Sequence, residues 1–118
     1  LFYKRAVQYH ASRTMPPFIE SDALHRYEGA VVSLLGIKIT GKEVTASTGD
    51  MMSFYSFLDT KGIYETVLFP DIYTRYREIM GLYHAFMICG TVSCDRGAWS
   101  IIVSEIQVLN RTHASSYS

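Results

Sequence analysis

The sequence predicts an all-β domain with one short helix, because five apolar segments, rich in β-branched or aromatic residues, are separated by turn and breaker residues. Three of these segments come before Pro70, which is expected to end the third strand. A short amphipathic segment follows the stop, and two further strand-like segments come after it. Three strands, a helix and two strands is the element order of the five-stranded Greek-key barrel known as the OB-fold.

The strand boundaries follow from the turn signals. Gly36 interrupts the first strand and is expected to mark a bend or bulge. A polar loop over residues 45–50 follows this strand, and the Asp-x-x-Gly sequence at 59–62 is expected to close a hairpin. Residues 95–97 are expected to form a second tight turn. The predicted strands cover residues 30 to 42 or beyond, 51–58, 63–69, 85–93 and 99–109.

The helix is predicted over residues 71–80, between the third and fourth strands. Pro70 cannot donate to a sheet ladder, Asp71 is an N-cap candidate, and Gly81 is a natural left-handed stop. The apolar residues of this segment recur at helical spacing and predict one buried face. They are Ile72, Tyr76, Ile79 and Met80.

The length of 118 residues leaves room for one domain. We expect residues 1–28 to form an N-terminal arm or connector, residues 29–109 to form the OB domain, and residues 110–118 to be a disordered tail. The first residue is Leu1 rather than an initiator Met, so we expect a piece excised from a longer protein.

Composition excludes several classes of function. The 11 basic and 11 acidic residues give zero net charge, so any nucleic-acid site must be local. No apolar run approaches the ~20 residues that span a bilayer, so no membrane partner is expected. Cys89 and Cys94 fit a reducing environment, which predicts a cytoplasmic protein. Neither metal-ligand spacing nor a phosphate-binding motif is present, so we expect no metal site and no cofactor.

Short motifs along residues 27–109 resemble a known family. They are Met-Ser-Phe at 52–54, Leu-Asp-Thr-Lys-Gly at 58–62, Cys-Gly-Thr-Val at 89–92 and Asp-Arg-Gly at 95–97. The most specific is Phe-Pro-Asp-Ile-Tyr at 69–73, which follows the Asp-x-x-Gly hairpin. Together they are similar to the OB domain near the C-terminal end of the bacterial DNA polymerase III α subunit, of the replicative or error-prone type.

This resemblance implies a non-catalytic module that binds single-stranded template DNA beside a polymerase core. The catalytic carboxylates of such a DNA-directed polymerase lie in another domain, so no catalytic residue is expected here. The implied partners are single-stranded DNA, the other domains of the parent polymerase and replisome subunits. The sequence departs from the family in one respect: the loop at 46–50 lacks the usual Lys or Arg, and Lys42 is the nearest cation. The expected electrostatic attraction to DNA is therefore weaker.

OB-folds bind single strands by stacking bases on aromatic rings and by tracking phosphates with cations. Tyr55, Tyr64 and Trp99 are the predicted stacking residues. Alternation along the second strand puts Phe54 and Tyr55 on opposite faces, and we assign Phe54 to the core together with Phe57.

Lys38, Lys42 and Arg96 are the predicted phosphate contacts. Lys42 and Arg96 are assigned to the two loops that flank the binding face of an OB-fold. Arg75 and Arg77 lie on the predicted helix, so we expect them to contact the rest of a parent protein instead.

Three classes of function are compatible with these patterns. The first is a single-strand-binding module of a replicative polymerase, which we favour. The second is an OB-fold interaction module for proteins, with little nucleic-acid affinity, which zero net charge allows. The third is an anticodon-binding OB domain of a tRNA-handling enzyme. Binding of single strands at low salt separates the first two, and a preference for DNA or RNA separates the first from the third.

Overall fold

Five strands close into a barrel in the computed structural model, which describes residues 16–109. The strand order around the barrel is β1-β2-β3-β5-β4, and the β3–β5 pair is parallel whereas the other neighbouring pairs are antiparallel. This topology confirms the predicted OB-fold. The elements are a 3-10 helix (Ser21–Arg26), β1 (Val31–Thr45), β2 (Met51–Asp59), β3 (Gly62–Leu68), α1 (Pro70–Leu82), β4 (Ala85–Asp95) and β5 (Ala98–Val108).

Both predicted hairpins are confirmed. In the β2–β3 turn, one carboxylate oxygen of Asp59 accepts the backbone N–H groups of Lys61 at 2.9 Å and Gly62 at 3.0 Å. In the β4–β5 turn, Arg96 and Gly97 have φ angles of 54° and 83°. Two successive left-handed residues define the type I′ turn, whose twist matches that of the flanking strands.

The long strand β1 closes the barrel by pairing with β4 through residues 31–37 and with β2 through residues 37–45. The irregularity lies between Lys38 and Thr40, where the register with β2 shifts, and not at Gly36. The predicted bulge at Gly36 is therefore misplaced. A Cβ at Gly36 would lie 2.4 Å from the Tyr64 hydroxyl oxygen, so the absent side chain makes room for that ring.

The helix α1 packs against β2, β3 and β5. It begins at Pro70, with Phe69 as the N-cap residue, because the fixed φ of proline suits the first helical position. The assignment of Asp71 as N-cap is therefore wrong. The prediction that Gly81 stops the helix is also wrong, since α1 continues to Leu82.

The apolar face predicted for the helix is present, but Tyr73 belongs to it as well. Tyr73 and Met80 are buried, whereas the other predicted members of the face are half-buried and pack against the core. The Tyr73 hydroxyl donates a hydrogen bond to the Glu43 carboxylate, which raises the pKa of Tyr73. This bond links α1 to the second half of β1.

The predicted tail and most of the predicted N-terminal arm lie outside the described residues. Within residues 16–109, no helix is long and apolar enough to cross a membrane. Residues 16–20 lie along the start of β1, where the Ile19 N–H donates to the Ser33 carbonyl at 2.9 Å. Cys89 and Cys94 are not joined in a disulfide, and Cys89 is buried with its sulfur 3.2 Å from the Ser33 hydroxyl.

Candidate nucleic-acid interface

One side of the barrel presents a continuous row of side chains across four strands. Lys42 pairs with Phe54, Phe54 pairs with Val67, and Val67 pairs with Ile102. Lys42 is exposed, Phe54 is 38% exposed, and the other two side chains are half-buried. We call the solvent side of β2, β3, β5 and the second half of β1 the outer face.

A second row runs parallel to the first on the outer face. Thr40 pairs with Ser56, Ser56 with Glu65, and Glu65 with Ser100. The Ser56 hydroxyl donates to the Glu65 carboxylate at 2.7 Å, which orients this carboxylate on the face. The outer face thus combines an aromatic ring and a cation in one row with an acceptor-only group in the next.

The assignment of the second-strand aromatics is reversed. Phe54, assigned to the core, is on the outer face, whereas Tyr55 points towards the barrel interior. The Tyr55 ring lies over Gly41, where a Cβ would come within 2.4 Å of it, and 6.3 Å from the ring of Phe57. Partial burial raises the pKa of Tyr55. Phe54 and Phe57 are three residues apart, so alternation allows only one of them inside.

Tyr64 is not available for stacking, and its prediction as an exposed ring is wrong. Its side chain is only 2% exposed, and its ring stacks on Phe57 with centroids 5.6 Å apart. Its hydroxyl donates to the Leu35 carbonyl at 3.0 Å. Burial raises the pKa of Tyr64 far above that of a free tyrosine. Tyr64 is a core residue with one satisfied polar atom.

The three predicted cations are in different surroundings. Lys42 is on the outer face, opposite Phe54, but it lies within β1 and not in a loop as predicted, because β1 continues to Thr45. Lys38 belongs to the inward series of β1, and its ammonium group donates to the Met80 carbonyl near the end of α1. The structure therefore places Lys38 away from the outer face, where it complements the negative end of the helix dipole.

Arg96 is at the opposite end of the outer face from Lys42. Because β3 and β5 are parallel and β2 is antiparallel to β3, the β4–β5 turn and the loop at 46–50 lie at opposite ends of these strands. Six residues separate Arg96 from Ile102, the β5 member of the Lys42 row, or about 20 Å along the strand. The Arg96 side chain is 95% exposed, 3.9 Å from the Asp95 carboxylate.

Trp99, predicted as a stacking residue, is half-buried in the inward series of β5 with Ile101 and packs against the core, so its ring is not on the outer face. It lines a cavity of about 220 Å³. We call it the Trp99 cavity. The 3-10 helix forms its opposite wall, and this helix is fixed to the β2–β3 turn because the Ser21 N–H and hydroxyl each donate to the Asp59 carboxylate at 2.7 Å. The other side chains around the cavity include His25, Ile63 and Glu65.

A larger depression of about 650 Å³ lies beside the first half of β1. We call it the apolar groove. Several of its large side chains are exposed, including Ile37 at 54% and Leu58 at 44%. Its apolar lining consists of Phe18, Ile19, Leu35, Ile37, Leu58, Ala85 and Leu109.

Phe69 is a further exposed aromatic that the sequence analysis did not assign to the interface. It is 47% exposed and follows β3 in extended conformation, two residues beyond Val67, which is the partner of Phe54. Its presence in the outward series is readable from the sequence, because Glu65 marks that series as solvent-facing. No such signal identifies Phe54, since each side of β2 carries both an aromatic and a serine.

The metal-ligating residue types within residues 16–109 are dispersed. No three His, Cys, Asp or Glu side chains of this range are grouped so that they could hold a metal ion. Asp59 lies at a turn, where its carboxylate accepts backbone and hydroxyl hydrogen bonds. Such a carboxylate is occupied by a structural role.

Comparison with known proteins identifies the fold. No protein-family model and no curated protein sequence matches the chain. Among solved structures, asparaginyl-tRNA synthetase from Pyrococcus horikoshii superimposes with a TM-score of 0.63 at 18% identity, over 77% of this chain. This chain spans only 22% of the synthetase.

Two other similar structures are single-strand-binding proteins. Replication protein A from U. maydis, bound to single-stranded DNA, matches with a TM-score of 0.57 at 21% identity, over 85% of this chain and 78% of that one. The mitochondrial single-stranded DNA binding protein Rim1 from S. cerevisiae matches with a TM-score of 0.55 at 13% identity, over 70% and 97%. These likenesses establish the OB-fold, and at these identities they establish the fold alone.

Proposed function

We propose that this domain binds single-stranded DNA on its outer face. The observation that supports this proposal is the grouping of Phe54, Phe69 and Lys42 on one exposed side of an OB barrel. Two exposed phenyl rings, one on β2 and one directly after β3, offer stacking surfaces to successive bases, and a neighbouring ammonium group can contact the phosphate between them. Fold neighbours that are single-stranded DNA binding proteins, Rim1 among them, support the same choice.

The binding is expected to depend more on stacking than on charge. The chain has zero net charge, and two of the three predicted cations, Lys42 and Arg96, extend from the ends of the outer face. Each phosphate contact on a single strand contributes about −0.7 to the slope of log K against log salt. Two contacts give a slope of about −1.4, which is shallow for a nucleic-acid-binding protein.

A titration of labelled oligodeoxythymidylate, followed by fluorescence anisotropy across a salt series, tests the proposal. We expect weak binding with a shallow slope, and we expect Lys42→Gln to reduce the slope by about 0.7. Arg75→Gln is the matched control, because it removes the same charge from α1. Absence of binding at low salt would contradict the proposal. Tighter binding of oligouridylate would favour the tRNA-handling class of OB domain.

The finer proposal is that the domain binds template DNA within a bacterial replicative polymerase and catalyses nothing itself. It is supported by the Phe-Pro-Asp-Ile-Tyr sequence at 69–73 and the preceding hairpin, which resemble the polymerase III α subunit. Metal-dependent nucleotide incorporation by this chain, lost on mutation of one of its own aspartates, would contradict the non-catalytic role. In a polymerase context, other domains of the parent chain are the expected protein partners.

A second candidate function is that of a protein-interaction module. The apolar groove favours it, because exposed apolar side chains grouped around a depression are typical of interaction sites. Absence of single-strand binding at low salt, together with association with a partner domain, would make this the better account.

A further inference from the structure

Glu65 is the only acidic side chain in the two rows of the outer face. It is exposed on β3, between Ser56 of β2 and Ser100 of β5, and its row is next to the row of Phe54 and Lys42. A carboxylate repels the phosphates of a bound strand. The part of the strand that Glu65 can contact favourably is therefore a base.

The hydrogen bond from Ser56 directs the Glu65 carboxylate towards β2. The Ser56 hydroxyl oxygen lies 2.7 Å from one carboxylate oxygen, across the β2–β3 pair. Ser56 and Phe54 are two residues apart on the same side of β2, or about 7 Å along the strand. Glu65 and Phe54 are therefore diagonal neighbours, a spacing at which aromatic and long side chains reach one another. The carboxylate is thus on the Phe54 side of β3 and not on the β5 side.

Together, Ser56 and Glu65 can accept hydrogen bonds from a ligand but cannot donate one. The Ser56 hydroxyl has a single proton, which is used in the bond to Glu65. An ionised carboxylate has about four lone-pair sites, so most of them remain available after this bond. Within residues 16–109, no ion pair neutralises Glu65. A base beside Phe54 therefore meets a surface that favours N–H donors.

We propose, on the basis of the proposed function, that Glu65 makes the outer face prefer cytosine to thymine or uracil. The base stacks on Phe54, and its N4 amino group donates a hydrogen bond to the Glu65 carboxylate. Acidic side chains accept from cytosine N4 when proteins read base edges. Thymine and uracil carry the O4 carbonyl at the same position, and a group that only accepts repels this oxygen. Unstacked bases of single strands are recognised by such a combination of stacking and edge contacts.

The test compares oligodeoxycytidylate and oligodeoxyuridylate of equal length by fluorescence anisotropy at mildly alkaline pH. The two bases have the same size and differ only at the edge that carries the N4 amino group or the O4 carbonyl. Homopolymers place the tested base on Phe54 whatever the register of the strand. Repulsion between Glu65 and the phosphates acts equally on both, so the ratio of their dissociation constants reports the base contact. We expect oligodeoxycytidylate to bind about three to ten times more tightly, the net range of one hydrogen bond.

Glu65→Gln separates a base contact from a general electrostatic effect. Loss of the charge alone would raise the affinity for both oligomers equally and would keep their ratio. The glutamine amide also adds an N–H donor that suits the O4 carbonyl, so we expect the ratio to fall to about one or to invert. Glu78→Gln removes the same charge from an exposed position on α1 and should leave the ratio unchanged.

The outcomes distinguish this proposal from the proposed function. Equal binding of the two oligomers by the unaltered protein would overturn the role of Glu65 but leave single-strand binding standing. A preference for cytosine that survives Glu65→Gln, or one that Glu78→Gln also removes, would overturn it in the same way. Failure of both oligomers to bind at low salt would overturn both proposals.

Discussion

Replacing Phe54 with leucine separates the stacking role of its ring from its structural role. The side chain is 38% exposed on the outer face, opposite Lys42 and Val67, and it is not a member of the buried core. Leucine keeps the apolar bulk against the strand and removes the π-face. Leucine is smaller than phenylalanine, but the site is at the surface and leaves no enclosed cavity, so we expect the free energy of unfolding to fall by less than ~1.5 kcal/mol.

The expected loss of affinity follows from the geometry. Stacking of one base on an aromatic side chain contributes about 1–3 kcal/mol. Because more than half of the Phe54 surface is covered, only part of the ring can meet a base, and the lower part of that range applies. A loss of about 1–2 kcal/mol corresponds to a dissociation constant about 5–30 times larger. The salt slope should stay as in the unaltered protein, since no charge is removed.

Anisotropy titrations with oligodeoxythymidylate at several salt concentrations measure both quantities. Tyr76→Leu is the matched control, because it removes a half-buried ring from α1 rather than from the outer face. Its affinity for DNA should match that of the unaltered protein. If Phe54→Leu binds as tightly as the unaltered protein, or if Tyr76→Leu loses as much affinity, the outer face is not the stacking surface.

Three further outcomes are expected. Gly36→Ala should lower the free energy of unfolding by about 1–3 kcal/mol in urea denaturation, because the new Cβ would lie 2.4 Å from the Tyr64 hydroxyl. Gly81→Ala on α1 places its Cβ in open space and should raise the free energy of unfolding slightly. Raising the pH above about 10 should lower the free energy of unfolding progressively, because tyrosines ionise in the unfolded chain while burial raises the pKa of Tyr64 in the folded state. Tyr64→Phe should reduce this alkaline loss of stability. Shifts of the midpoint of urea unfolding with pH measure both effects. Arg96→Ala should reduce the salt slope of DNA binding by at most about 0.7 without changing stability, and an unchanged slope would remove Arg96 from the interface.

The order of elements was predictable because breakers and turns have strong local causes. Pro70 lacks the N–H that a strand needs, and the turn at Asp59 requires a carboxylate that accepts backbone donors. The two hairpins and the single helix therefore follow from a few residues each. The bulge near Lys38 was not predictable in this way, because the irregularity is imposed where β1 leaves β4 and continues along β2. That change of partner is a property of the closed barrel.

The candidate site was harder to predict. Strand alternation shows which residues share a side of the sheet, but it does not show which side is buried. In β3 the buried side can be predicted from the sequence, because the charged Glu65 is expected to face solvent. Its neighbour Tyr64 therefore faces inward, together with Thr66 and Leu68. The phenol of Tyr64 does not require solvent, because its hydrogen bond to the Leu35 carbonyl satisfies it inside the barrel. In β2 no charged residue before Asp59 marks one side as solvent-facing. Only the packing of the barrel therefore determines that Phe57 is buried and Phe54 is exposed.

The polarity of the outer face bears on which ligands it can distinguish. A phosphate backbone that crossed the second row would meet the Glu65 carboxylate, which repels it, whereas the first row offers Lys42 beside Phe54. The backbone is therefore expected to keep to the Lys42 side, and the bases to point towards the row that holds Glu65. In that arrangement Glu65 is expected to lower the affinity for any strand. It is also expected to increase the difference in affinity between bases, because a carboxylate accepts hydrogen bonds only from base edges that carry donors. We therefore expect weak binding, because the chain has zero net charge and the Glu65 carboxylate lies beside the row of Phe54 and Lys42.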